Sequence, residues 1–229
     1  MPHSHLDEEA KGLLRRILRA QAYRQIMAAN IRGHSLKFLL KAEGRQRLVQ
    51  DMQTILDQVV EVQDLYTRLG GGDIRHEAAV KMERIPYPKS RFELATFLAT
   101  SDIAEDVAME GYVDSACEEL AHVANEHLSE ERVVTEHNRR FFLEFAADPE
   151  QAPLVKEVFR RWLVISLLSL GRPGTSADRR AVELGLRNRS CAESMEAYLE
   201  RIRSLLDASG LDLSELAGSG VILPGSITT

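Results

Sequence analysis

The segment EERVVTEH, residues 130–137, carries half of a pattern that helical proteins use to bind metal ions. Helix bundles hold paired ions with one carboxylate from each of two helices and Glu-x-x-His from each of the other two. A spacing of three residues places both side chains on one helix face. Here Glu131 is followed at that spacing by Val134 instead of histidine. The imidazole that would complete the coordination sphere of an ion is therefore missing.

The elements that position these residues are predicted to be helices, because apolar side chains recur at intervals of three and four. Gly44, the glycines after residue 69, Gly171 and Gly210 are predicted to end or separate helices, and a kink is possible near Gly33. Ser90 is a candidate N-cap, with Glu93 in the position of a capping box. The predicted helices cover 6–41, 45–69, 90–111, 113–146, 154–170 and 190–208.

Four long helices followed by shorter ones predict an all-α fold, an antiparallel four-helix bundle with additional C-terminal helices. We expect a single helical domain over residues 1–217 and a flexible C-terminal tail over 218–229, which is rich in glycine, serine and threonine. No apolar run reaches the roughly 20 residues that a membrane span needs. The polar N-terminus also lacks the apolar core of a signal peptide.

Charge and cysteine content exclude several classes of function. The formal net charge is −6 and both signs are interspersed, so we expect no nucleic-acid partner. Cys117 and Cys191 lie far apart and outside any CxxC spacing, which argues against a disulfide framework and a zinc knuckle. These features together predict a cytoplasmic protein that does not associate with membranes.

Three segments resemble one known family. They are FRRWLVISLLSLGRPGTSADRRAVELGLRNRSCAESMEAYLERI at 159–202, IPYPKSRFELATFLATSD at 85–102 and EERVVTEHNRR at 130–140. Across roughly residues 24–205 the chain resembles the phenylacetyl-CoA monooxygenase (epoxidase) A/C subunit family, and is most similar to its catalytic A-type subunit. The resemblance implies a ferritin-like bundle. It also implies that catalytic subunits add oxygen to an aromatic CoA thioester at a di-iron centre, beside metal-free scaffold subunits.

The resemblance also implies a set of six ligand positions: Asn30, Gln58, Glu61, Asp102, Glu131 and Val134. In the family these positions carry Glu, Glu, His, an acidic residue, Glu and His. Only Asp102 and Glu131 keep the implied type, with Glu61 as a possible carboxylate substitute. Valine and asparagine cannot replace an imidazole and an anionic carboxylate, so the di-iron site is expected to be degraded. The remaining polar side chains are expected to form an internal hydrogen-bond network, with no cofactor.

A rearranged metal site is the alternative. His127 lies four residues before Glu131 and His34 lies four residues after Asn30, so each histidine shares a helix face with an implied ligand position. If any metal binds, its ligands would be Glu61, Asp102 and Glu131, with His34 and His127 as alternative ligands, and iron is the possible cofactor.

The segment LGRPGTS, residues 170–176, contains two glycines but matches no phosphate-binding fingerprint. We interpret it as a helix stop and turn, while Arg172, Arg179 and Arg180 are candidates for contacting a CoA phosphate.

Three functions therefore stay open. The first is a structural or regulatory subunit of a phenylacetic acid catabolism-like oxygenase, forming a homo-oligomer or pairing with a homologous catalytic subunit. The second is a metal-dependent oxygenase with an altered ligand set that acts on a CoA-linked or carrier-linked acid. The third is a metal-free protein that binds a small acid or performs non-redox chemistry with Glu61, Asp102 and Glu131 as acid or base. Beyond these three candidates, the catalytic residues are unknown.

Overall fold

The structure, a computed structural model, describes residues 6–79, 86–129 and 133–225, without the side chains of 78–79 and 133–135. The described residues form helices and turns and contain no β-strand, which confirms the all-α prediction. None of the described helices is long and apolar enough to cross a membrane. The chain divides into two compact units, Met1–Arg91 and Phe92–Thr229.

Ten α-helices follow one another in the described ranges, together with two 3₁₀ turns at Leu36–Phe38 and Leu213–Leu216. The α-helices are α1 Glu8–Ser35, α2 Ala42–Arg68, α3 Ile74–Ala79, α4 Arg91–Glu110, α5 Glu118–Ser129, α6 Val133–Ala146, α7 Ala152–Ser169, α8 Ser176–Glu183, α9 Cys191–Arg201 and α10 Arg203–Ser209.

The first unit is built on an antiparallel hairpin of α1 and α2. Arg15 Nη1 donates to the carbonyl of Leu69 at 3.0 Å, and Gln25 Nε2 donates to Gln58 Oε1 at 3.1 Å. The earlier residue of α1 therefore contacts the later residue of the α2 region, as expected when two helices run in opposite directions. The short helix α3 is attached to this hairpin, because the Gln63 side chain accepts the backbone N–H of Ile74 at 2.8 Å.

The second unit has α4 at its centre. Residues 92–100 are all buried, and a helix that is buried all round belongs in a core. Phe92 stacks on Phe145 of α6 with ring centroids 3.9 Å apart. Phe97 meets Trp162 of α7 edge to face at 5.0 Å. These aromatic contacts fix α4 between α6 and α7.

The C-terminal end of α4 is covered by the segment before α9. Asn188 donates its side-chain amide to the carbonyl of Glu110 and its backbone N–H to that of Gly111, both at 2.9 Å. Arg189 donates to the carbonyl of Val107 and forms an ion pair with Glu110 at 3.0 Å. The last carbonyls of a helix have no partner within it, so this segment supplies the missing donors.

Several helix boundaries differ from the sequence prediction. The turn predicted at Gly44 is wrong: Leu39 and Lys41 have extended backbone, and Gly44 lies inside the first turn of α2. In place of one helix over 113–146, α5 begins at Glu118, because Ser115 turns the chain by donating to the carbonyl of Leu186 and accepting from Cys117 N. Residues 130–132 lie outside the described ranges.

The remaining differences concern short helices. The region 190–208 forms two helices, α9 and α10, that meet at Ile202. The helices α3 and α8 were not predicted, since six to eight residues are too few to establish a helical period in the sequence. Other predicted ends are confirmed. Gly210 closes α10 in the left-handed region with φ 64°, and α4 begins at Arg91, directly after Ser90.

Candidate functional site

A pair of buried amides, Gln25 of α1 and Gln58 of α2, lies between the two helices. Gln58 is one of the six ligand positions that the resemblance implies. Gln25 is 2 % exposed and Gln58 is 9 % exposed, and their side chains hydrogen-bond to each other. Within the described part of the chain, Gln25 Oε1 has no hydrogen-bond partner. Because a buried acceptor is costly when unsatisfied, this oxygen lowers the stability of the α1–α2 packing.

The buried face of α1 also carries two arginines. Arg24 and Arg32 are 6 % and 3 % exposed. Arg24 donates to the side chain of Gln21, which lies one helical turn before Gln25. Polar side chains therefore extend along this face beyond the amide pair. The sequence carries a signal for this face, because Gln21, Gln25 and Arg32 are spaced as core positions of a helix although they are polar.

Three other candidate residues of the first unit lie on its surface. Asn30, His34 and Glu61 are all exposed. The His34 ring contacts that of Tyr87, with centroids 4.6 Å apart. These three side chains therefore do not share the buried environment of Gln58.

The second unit holds the other candidates. Asp102 of α4 is buried, with 7 % of its surface exposed. His127 of α5 is also buried, and its Nε2 lies 3.2 Å from Asp106 Oδ1, which fixes the ring against α4. Glu131 lies outside the described residues. Val134 belongs to α6, but its side chain is not among those described.

The donor types at the implied ligand positions do not match a di-iron centre. Asn30 and Gln58 present neutral amides, and the Gln58 amide is engaged with Gln25. The described part of the chain, which omits Glu131, contains no group of three or more histidine, cysteine, aspartate or glutamate residues that could hold a metal ion. The ligand predictions for Glu61, Asp102 and Glu131, with His34 and His127, stay predictions.

The segment LGRPGTS forms the turn between α7 and α8, with Gly171 at φ 101° and Gly174 at φ 71°. Arg179 donates to the carbonyl of Gly174 at 2.9 Å, and Arg180 pairs with Glu183 at 3.1 Å. Arg172 is exposed. The interpretation as a turn is confirmed, and a role for the three arginines in binding phosphate stays a prediction.

A buried arginine that the sequence did not reveal joins α8 to α9. Arg187 Nη1 lies 3.3 Å from Asp178 Oδ1 and 3.1 Å from Cys191 Sγ, and Asp178 also accepts the backbone N–H of Cys191 at 2.9 Å. Burial raises the pKa of the Cys191 thiol, and the neighbouring guanidinium only partly opposes that rise. The thiol is therefore protonated and unreactive at neutral pH, as expected for a structural cysteine.

Comparisons with known proteins identify no family for this chain: no protein-family model matches it, and no curated protein matches it significantly.

Proposed function

We propose that this chain is a ferritin-like helical protein, similar to the phenylacetyl-CoA monooxygenase A/C subunits, that acts as a structural or regulatory subunit without a di-iron centre. One observation carries the proposal. Gln58, where the resemblance implies a carboxylate ligand, has an amide side chain that is buried and hydrogen-bonded to Gln25. A carboxamide offers an ion no negative charge, and the Gln58 oxygen already accepts a hydrogen bond from Gln25.

The partner of Gln58 supports the same conclusion. A pair of divalent ions in a bundle relies on several carboxylates to compensate its charge. Gln58 hydrogen-bonds to the neutral amide of Gln25, which supplies no such compensation.

The surroundings of the two histidines weigh against the rearranged metal site. His34 is exposed beside Tyr87, and the His127 ring already pairs with Asp106. Glu61, the carboxylate that this site would need from the first unit, is itself exposed. We therefore rank the metal-dependent oxygenase below the metal-free subunit.

The proposed role also implies a binding partner and a cellular location. We propose that it forms a homo-oligomer or pairs with a homologous catalytic subunit through a helix face, and that it resides in the cytoplasm. Its two cysteines, Cys117 and Cys191, are both free thiols, which is compatible with a reducing compartment.

Thermal unfolding in the presence of metal tests the metal-free claim. A ligand at one hundred times its dissociation constant stabilises the native state by about 2.7 kcal/mol, so a bound metal raises Tm. We expect the same Tm with EDTA and with excess Fe²⁺ or Mn²⁺ under anaerobic conditions. For the native chain and for Asp102→Ala, the Tm with metal is compared with the Tm of the same chain in EDTA. A rise in Tm with metal that the native chain shows and Asp102→Ala does not would overturn the proposal.

Coexpression tests the subunit claim. The untagged chain is produced together with a histidine-complete catalytic subunit of the resembled family and passed over a size-exclusion column. Elution in one stoichiometric complex, or self-assembly into a defined oligomer, supports a subunit role. A chain that stays monomeric under both conditions would contradict it.

A further inference from the structure

The outer face of α2 exposes a stripe of apolar side chains. Val49, Leu56 and Val60 are 44 %, 42 % and 57 % exposed. Their spacing of seven and four residues places them on one side of the helix. Gln53 lies between them on the same side and is also exposed. Leaving such a stripe in water is unfavourable, and covering it removes apolar surface from water.

Charged side chains lie at the two ends of this stripe. Arg45 lies four residues before Val49 and Asp64 lies four residues after Val60, so both share the side of α2 that carries the stripe. Both residues are exposed. The apolar stripe therefore has a basic end and an acidic end.

We propose that this stripe is the contact surface for a second copy of the chain, with the two α2 helices packed antiparallel. In that orientation the basic end of one stripe lies along the acidic end of the other, whereas parallel packing would place like charges together. The pairing is isologous and closes on itself as a two-fold dimer. It deepens the proposed function by naming the partner, and it rests on that proposal for its biological role.

The spacing of the apolar residues fits this arrangement. Val49 and Val60 are separated by eleven residues, about 16 Å at 1.5 Å per residue. Suppose that the two-fold axis passes between residues 54 and 55 of both antiparallel helices. Each Val49 then meets the Val60 of the other copy. Leu56 then lies near the centre, opposite Gln53 of the other copy. A small apolar core with polar surroundings is the usual anatomy of a non-obligate interface.

Sedimentation velocity across a range of protein concentrations is the first test. We expect a dimer for the native sequence and a dimer at least about tenfold weaker for Val60→Glu, which would bury an unpaired carboxylate at the contact. Leu168→Glu is the matched control, because Leu168 is 48 % exposed but lies on α7. A monomeric native chain, or a dimer that both variants weaken equally, would overturn the inference.

Disulfide trapping tests the orientation. Val49→Cys and Val60→Cys are made as separate full-length chains, mixed and oxidised. Antiparallel packing predicts the mixed cross-link and little cross-linking of either variant alone, since like positions lie about 16 Å apart. The native chain is the control, because Cys117 and Cys191 are 1 % and 5 % exposed. Efficient self-cross-linking of Val49→Cys would overturn the antiparallel arrangement.

A charge exchange provides the rescue experiment. Arg45→Glu makes both ends of the stripe acidic and should weaken the dimer, more so at low salt. Adding Asp64→Lys to the same chain restores opposite ends and should restore the dimer. A chain with both changes that stays monomeric would contradict the proposed charge pairing.

The outcomes for the dimer and for the proposed function are separable. A monomer without metal-dependent stabilisation contradicts the dimer and leaves the metal-free proposal standing. A dimer that Fe²⁺ stabilises contradicts the metal-free proposal and leaves the α2 contact standing.

Discussion

Single side chains decide two properties of this molecule: which polar groups are buried, and what satisfies them. Gln25 donates to Gln58 in the first unit, while its own Oε1 has no partner there. In the second unit the Nη atoms of Arg187 contact Asp178, Cys191 and Ser194. An amide pair requires no counter-ion, whereas a buried guanidinium requires one. The two sites should therefore respond very differently to substitution.

Removing the counter-ion of Arg187 should destabilise the fold strongly. Asp178 and Arg187 are 3 % and 10 % exposed in their side chains, and breaking a buried pair by deleting one partner costs about 3–5 kcal/mol. We expect Asp178→Ala to lower the free energy of unfolding by that amount in urea titrations. Glu183→Ala on the same helix breaks an exposed pair with Arg180 and should cost no more than about 1 kcal/mol. Equal losses for the two variants would contradict the assignment.

The start of α9 gives a prediction about pH. Hydrogen bonds from the backbone N–H and hydroxyl of Ser190 lower the pKa of Glu193 below its value of 4.5 in an unfolded chain. A lowered folded pKa stabilises the protein above the unfolded pKa, and this contribution is lost as pH falls through the folded pKa. Glu193→Gln should therefore reduce the loss of stability below about pH 4.5. An unchanged acid unfolding curve would contradict this account.

At the scale of elements, turns and caps determine where helices end. Gly171 lies in the turn after α7 and has φ 101°. A Cβ added there would lie 2.7 Å from Cys191 Sγ. Gly174 in the same turn has φ 71° and open space around its Cα. Gly171 is therefore required both by its positive φ and by the nearness of Cys191. Gly174 is required by its positive φ alone.

The matched pair Gly171→Ala and Gly174→Ala tests that distinction. A left-handed conformation costs a residue with a Cβ about 1–2 kcal/mol, which is the loss expected for Gly174→Ala. Gly171→Ala should cost clearly more, because the buried Cys191 must also move. The comparison is made by thermal unfolding of both variants, and a larger loss at Gly174 would show that the contact with Cys191 does not constrain the turn.

Much of the element order could be predicted from the sequence. The long helices have a clear apolar period, and Gly70 and Gly210 stop two of them in the left-handed region. The boundary at Gly44 could not be predicted, because a glycine is tolerated in the first turn of a helix as well as before it. The helix α8 was hidden because its N-cap, Thr175, stands in a segment dominated by turn residues.

The candidate site was less accessible from sequence than the fold. The prediction of a degraded metal centre came from the residue types at Gln58 and Val134 together with the resemblance, and it stays a prediction. The burial of Gln21, Arg24 and Arg32 depends on what packs against α1, which the local pattern does not specify. For the same reason, the exposure of Asn30, His34 and Glu61 followed only from the structure.

At the scale of the whole molecule, the two units differ in their buried polar groups. The first unit carries buried amides and guanidinium groups, and the second carries buried Asp102 and the His127–Asp106 pair. The exposed stripe on α2 is the surface that we propose for assembly. The function that we propose for the chain is that of a subunit that contributes shape and contacts and no metal chemistry.

Metal content tests whether the chain works without a metal centre. The chain is expressed without a histidine tag in medium supplemented with iron and manganese, and its metals are measured by elemental mass spectrometry. We expect far less than one ion per chain, unchanged by Glu131→Ala. A stoichiometric content of one or two ions per chain that Glu131→Ala abolishes would contradict the proposal.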